Sequence, residues 1–219
     1  MKVLVVSPHP DDETLGAGGT IVRLKKENHQ VYWLNITDVD EKYGWNTEFV
    51  QRRKEQMSQI KQYYQFDKVY NLKFAPAKLE KIATGDLIDA INKCFEDVKP
   101  EWLILPDYND AHSDHNVVFE CCMACAKTFR CPSVKRITTM EIVSETNFGK
   151  PYDKFNPVFY VDISNTIENK IEAMNIYDSE VGEHPFPRSE VSIKSLAALR
   201  GVEAGVNAAE AFRLIKEII

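Results

Sequence analysis

Two short segments gather the residues that can hold a metal or move a proton. They are Ser7-Pro8-His9-Pro10-Asp11-Asp12-Glu13 and Asp110-Ala111-His112-Ser113-Asp114-His115. The chain has five histidines, and three of them fall in these segments. Two neutral imidazoles and one carboxylate make a three-ligand set that leaves a fourth position for water, as in a catalytic zinc site. His9, Asp12 and His115 are chosen as that set, and iron, cobalt or manganese suits the same donors. Asp11, beside a ligand but not needed as one, is left free to take a proton from water. His112, with Asp114 able to hold its ring, is left to face a developing oxyanion or a leaving group. Loop polarity is the competing explanation, since Asp near a helix start is an ordinary cap. Two clusters in matching places weigh against it.

These segments need a frame that brings them together across a long stretch of sequence. Lys2–Ser7 is a valine-rich run that suits a strand buried on both faces. The pattern then predicts a helix over Leu15–Glu27, a strand over Gln30–Thr37 and a charged helix over Asn46–Gln65, with Phe49, Met57, Ile60 and Tyr64 as its apolar stripe. Strands at Asp67–Leu72, Trp102–Leu105 and Arg136–Val143 alternate with helices at Gly85–Val98 and Asp114–Phe129. Val158–Ile163 reads as a strand and Thr166–Tyr177 as a helix; Gly182–Arg188 is a proline-rich loop. Arg188–Val202 and Ala208–Ile218 read as helices, a helical C-terminal cap. The alternation implies an α/β fold with a mainly parallel sheet and helices on both faces. If the first and fourth strands are neighbours, both clusters lie at the topological switch point of one sheet edge.

Composition sets the outer bounds. A chain of 219 residues, 44% hydrophobic and 27% charged, suits one domain over residues 1–219, and excludes a disordered tail or a coiled coil. A net charge of −6 without a basic block makes nucleic acid or an anionic membrane a poor partner. The apolar opening run Val3–Val6 is too short for a signal peptide or a bilayer span, so a soluble, cytoplasmic protein without a membrane anchor is expected. Five cysteines, an odd number, argue against a disulfide framework. Cys122-x-x-Cys125 lies on an expected helix with no second pair, which suits small buried residues better than a metal site. Gly16-Ala17-Gly18-Gly19 lacks the third glycine of a dinucleotide fingerprint and reads as a place where a helix packs close to the sheet.

The residues His9-Pro10-Asp11-Asp12-Glu13 after a strand, with His112-Ser113-Asp114-His115, resemble the LmbE/PIG-L family of zinc-dependent N-deacetylases. The resemblance continues in Arg52-x-x-Glu55, in Tyr160–Ile163, in Lys170, Ala173 and Tyr177, and in Arg200-Gly201 with Ala209–Phe212. It implies a Rossmann-like domain that removes an acyl group, usually acetyl, from the nitrogen of a small amino-sugar substrate. Arg52 and Asp110 are the expected sugar contacts, and the segment Asp38–Trp45 is expected to shape the far end of the pocket. Glu180 stands where the family commonly has Gln. Whether Asp11 or His112 returns the proton to the amine is left open, as is assembly into a homo-oligomer. The competing readings are a Rossmann-like nucleotide sensor and an inactive metal-binding relative; the broken glycine fingerprint weighs against the first, and the spare carboxylate of Asp11 against the second.

Overall fold

β1 (Lys2–Ser7) is buried along nearly its whole length, and its side chains divide between two cores. Val3 and Val5 face one side of the sheet, Leu4 and Val6 the other. The computed structural model describes residues 1–219. Its remaining strands are β2 (Gln30–Thr37), β3 (Lys68–Phe74), β4 (Trp102–Pro106), β5 (Arg136–Met140), β6 (Phe159–Asp162) and β7 (Ala209–Glu217). They form one seven-stranded sheet in the order β3-β2-β1-β4-β5-β7-β6, in which β7 alone runs opposite to the others.

The helices are α1 (Asp12–Lys26), α2 (Thr47–Tyr64), α3 (Thr84–Val98), α4 (Ser113–Cys125), α5 (Ile167–Ile176) and α6 (Glu190–Ala204). Residues of α1, α2, α5 and α6 bury against Val3, Val5, Val31 and Trp33. On the opposite face α3 and α4 cover Leu4, Val6, Leu34 and Leu103, and Cys121, Cys122 and Cys125 of α4 are buried there as free thiols. The small residues of α1 serve close packing: a Cβ at Gly19 would lie 2.9 Å from Cβ of Ile163.

The C-terminal segment corrects the sequence reading. Ala208–Ile218 is not helical; β7 occupies it, so α6 is the only helix after the proline-rich loop. Helix propensity in Ala209-Glu210-Ala211 is a weak preference. The slot between β5 and β6 satisfies both edges of the β7 backbone and buries Ala209 through Phe212. A strand buried on both faces shows no period-2 signal to read.

β1 pairs with β2 on one side and with β4 on the other. This is the switch point of the sheet, and the loops after β1 and β4 leave it side by side.

Candidate active site

The loop after β1 is tied to its neighbour, because Thr37 at the end of β2 donates to the Pro8 carbonyl through both N–H (3.0 Å) and Oγ1 (2.8 Å). The loop after β4 is pinned through Asp107, which accepts from Thr139 Oγ1 at 2.6 Å and from Asn109 N–H at 3.0 Å. Between them, His9, Asp12 and His115 converge. His9 Nδ1 and His115 Nε2 each lie 3.4 Å from the same atom, Asp12 Oδ2, which also accepts the His9 backbone N–H at 2.8 Å.

The outer nitrogens of both rings are held by further carboxylates. His115 Nδ1 donates to Asp110 Oδ2 at 2.8 Å, and His9 Nε2 donates to Asp114 Oδ2 at 3.0 Å. Asp114 also accepts the backbone N–H groups of Ala77 and Leu79, so it acts only as an acceptor. With the outer nitrogens carrying protons, the neutral rings turn lone pairs inward. His115 Nε2 is buried and has no hydrogen-bond partner. Tetrahedral coordination with metal–ligand bonds of about 2.0–2.1 Å separates ligand atoms by about 3.4 Å. The residues present therefore fit a divalent cation.

Electrostatics agree. Burial lowers the proton affinity of His9 and His115, yet the surrounding carboxylates lift their pKa values to about 9 and about 10. Burial works against the ionised Asp12 carboxyl, but the two imidazoles hold it well below the usual range. A site of this kind draws in positive charge, as protons or as a metal cation.

Asp11 reaches the same spot by a strained path. It precedes α1 with φ of 133°, a region that residues with a Cβ rarely enter. Buried Glu13 accepts its backbone N–H at 3.2 Å, and Tyr177 Oη (3.0 Å) and Thr14 Oγ1 (2.8 Å) hold Glu13 in turn. Burial, then Asp12 and Glu180, push the Asp11 carboxyl well above its ordinary pKa, against the pull of Arg188 and Arg53. His112 caps α4, and its Nδ1 accepts the Asp114 N–H at 3.1 Å. The neutral ring thus carries its proton on Nε2, while burial and then the other two histidines lower its pKa.

These atoms form the floor of a cleft of about 220 Å³ whose wall includes Trp45, Phe49, Asp38, Glu145, Arg53 and Arg188. Trp45 stacks on Phe49 with ring centroids 5.0 Å apart, placing the expected Asp38–Trp45 segment at the cleft.

Three expected roles change. The Asp114 carboxylate holds His9, and only its backbone N–H reaches His112. Asp110 lies behind His115 and does not line the cleft, so it orients the His115 ring where a sugar contact was expected. Arg52 is exposed and paired with Asp178 outside the cleft, and the next residue, Arg53, lines it instead. The sequence carried a signal for this. Arg53 and Gln56 interrupt the buried stripe that runs from Val50 to Ile60 and Tyr64, and a cation on a buried stripe needs a partner. Glu180, Arg188 and Glu145 come from irregular segments with no spacing to mark them.

A mostly parallel α/β sheet with a His/Asp/His cluster and a further carboxylate at its switch point defines a class, that of Rossmann-like α/β domains with a polar site at the carboxyl ends of the strands. The chain belongs within it to the LmbE/PIG-L deacetylase family, since residues 4–126 match the family model described as PIG-L, GlcNAc-PI de-N-acetylase. It is 26% identical to a diacetylchitobiose deacetylase of Thermococcus kodakarensis, over 99% of this chain and 84% of the relative. It is also 26% identical to a probable N-acetyl-α-D-glucosaminyl L-malate deacetylase of Bacillus anthracis, over 81% of this chain and 80% of that one. The solved N,N′-diacetylchitobiose deacetylase of Pyrococcus horikoshii shares the fold, with a TM-score of 0.79 at 21% identity over 98% of this chain and 84% of that one.

Proposed function

We propose that the protein hydrolyses the acetamido group of an N-acetylated amino sugar, releasing acetate and a free amine. The observation that carries this reading is the pair of inward imidazole nitrogens on one Asp12 oxygen, with Asp11 beside them and left out of the set. The relatives support the substrate class, because one is a diacetylchitobiose deacetylase and the other a probable N-acetyl-α-D-glucosaminyl L-malate deacetylase.

His9, Asp12 and His115 would hold a divalent cation, with zinc the choice that best suits three protein ligands. When bound, such an ion acidifies water and draws charge from a carbonyl oxygen. Asp11 takes a proton from the attacking water as its oxygen bonds to the amide carbon. His112, with its proton on Nε2, donates to the oxyanion as negative charge develops there. The C–N bond then breaks, and the amine nitrogen gains a proton from Asp11 or His112. Trp45 at the rim offers a flat face for a sugar ring.

The test combines metal analysis of the purified protein with a free-amine assay on N,N′-diacetylchitobiose. About one divalent ion per chain and metal-dependent amine release are expected for the wild type. His115→Ala is expected to lose both. Undiminished amine release from metal-stripped protein, or from His115→Ala without metal, overturns the reading.

A further inference from the structure

The cleft holds two guanidinium groups, and both are committed to the same carboxylate. Arg53, on α2, is ion-paired with Glu180 and donates to the Pro10 carbonyl at 2.9 Å. Arg188, from the proline-rich loop, donates to the Glu180 backbone carbonyl at 2.7 Å, to Glu180 Oε2 at 3.2 Å and to Ser144 Oγ at 3.3 Å. Glu180 is held between them on the turn that follows α5, where its N–H bonds to the Tyr177 carbonyl at 2.8 Å. The other carboxyl or cationic side chains outside the catalytic floor are Asp38 and Glu145, both acidic residues. No lysine lines the cleft. The outer cleft therefore presents three carboxylates against two arginines that already share a partner.

We infer that this cleft selects uncharged or amine-bearing glycosides and disfavours amino sugars that carry a carboxylate or phosphate, with Glu180 as the residue that sets the preference. The inference rests on the deacetylase reading above and narrows its substrate. An anionic aglycone gains a cation only by drawing Arg53 or Arg188 away from Glu180. That exchange takes from Glu180 one of the two cations that hold it, and weakening a largely sheltered ion pair is costly. A second negative charge beside Asp38 and Glu145 adds repulsion that a neutral sugar does not meet. A hydroxyl-rich or protonated-amine group instead finds acceptors on those two side chains.

The test measures kcat/KM for two probes, neutral N,N′-diacetylchitobiose and the N-acetylglucosamine glycoside of malate. Wild type is expected to favour the neutral probe at least tenfold, with the ratio narrowing as salt rises. Glu180→Gln is expected to move the ratio at least tenfold toward the malate glycoside, because it removes the charge that occupies both arginines. Glu145→Gln breaks no ion pair of the fold and is expected to move the ratio the same way by a smaller factor of about three. A wild-type preference for the malate glycoside, or a ratio unchanged in both variants, overturns the inference. If wild type turns over neither probe, the deacetylase reading fails separately, and calorimetric binding of both probes to wild type and Glu180→Gln still decides the charge preference.

Discussion

Asp11 combines two features that are rarely found in one residue: a backbone at φ of 133° and a carboxylate with no ion pair of its own. Strain of this kind persists only where the surroundings hold it, and here Glu13, Tyr177 and Thr14 form the brace. The carboxylate is thereby kept beside His9, Asp12 and His115 without joining their cluster. Asp11→Asn preserves size and removes the proposed base, so kcat is expected to fall by about 10²–10⁴ with metal content unchanged. Turnover near wild type at full occupancy would move the base to His112. At this scale residue type alone pointed to His9, Asp12 and His115 as one cluster, and their side chains do converge. It did not disclose which carboxylate backs which ring. Asp110 and Asp114 are equally good acceptors on paper, and only the direction of each imidazole assigned Asp110 to His115 and Asp114 to His9.

Helix α1 carries Asp12 and is held from two other elements at once. Lys170 of α5 donates to the Leu15 carbonyl and pairs with Glu210 of β7, each at 2.7 Å. Glu210 accepts the N–H groups of Gly19 and Thr20 at 3.0 and 2.7 Å. The small residues Gly16-Ala17-Gly18-Gly19 let these side chains reach the helix backbone, a use of glycine unrelated to phosphate binding. Lys170 and Glu210 are both almost fully buried, so removing one partner leaves an uncompensated charge. Lys170→Met is expected to lose about 3–5 kcal/mol in urea unfolding, and the double variant Lys170→Met/Glu210→Gln to recover most of that loss. A single variant as stable as wild type would show that the pair does not hold α1. The element scale is also where the sequence reading failed. Local propensity in this segment favours a helix, and only the place of β7 between β5 and β6 makes it a strand.

For the molecule as a whole, two apolar cores enclose the sheet, and every cysteine lies in buried surroundings. Burial pushes the Cys94 thiol up to about 12 and those of Cys121 and Cys125 up to about 11. A raised pKa leaves little thiolate at pH 8, and burial denies access to a reagent. The native protein is therefore expected to resist iodoacetamide at pH 8 and to take up five labels once unfolded, counted by mass spectrometry. Rapid labelling of the α4 thiols in the native state would place that face of the sheet in solvent. No helix is long and apolar enough to cross a membrane.

Residue chemistry and local periodicity made much legible from the sequence alone: the alternation of strand and helix, the two clusters after β1 and β4, and the ligand types within them. Each of these is set by short-range pattern, such as a valine run buried on both faces or a histidine beside an aspartate. The tertiary structure decided the rest: that β1 and β4 are neighbours, that β7 is a strand, and that Arg53 rather than Arg52 enters the cleft. It also decided that Glu180 and Arg188, far from either cluster in sequence, close one wall of that cleft. These outcomes depend on which backbone edges and which faces find partners, and that competition is resolved only when the whole chain packs.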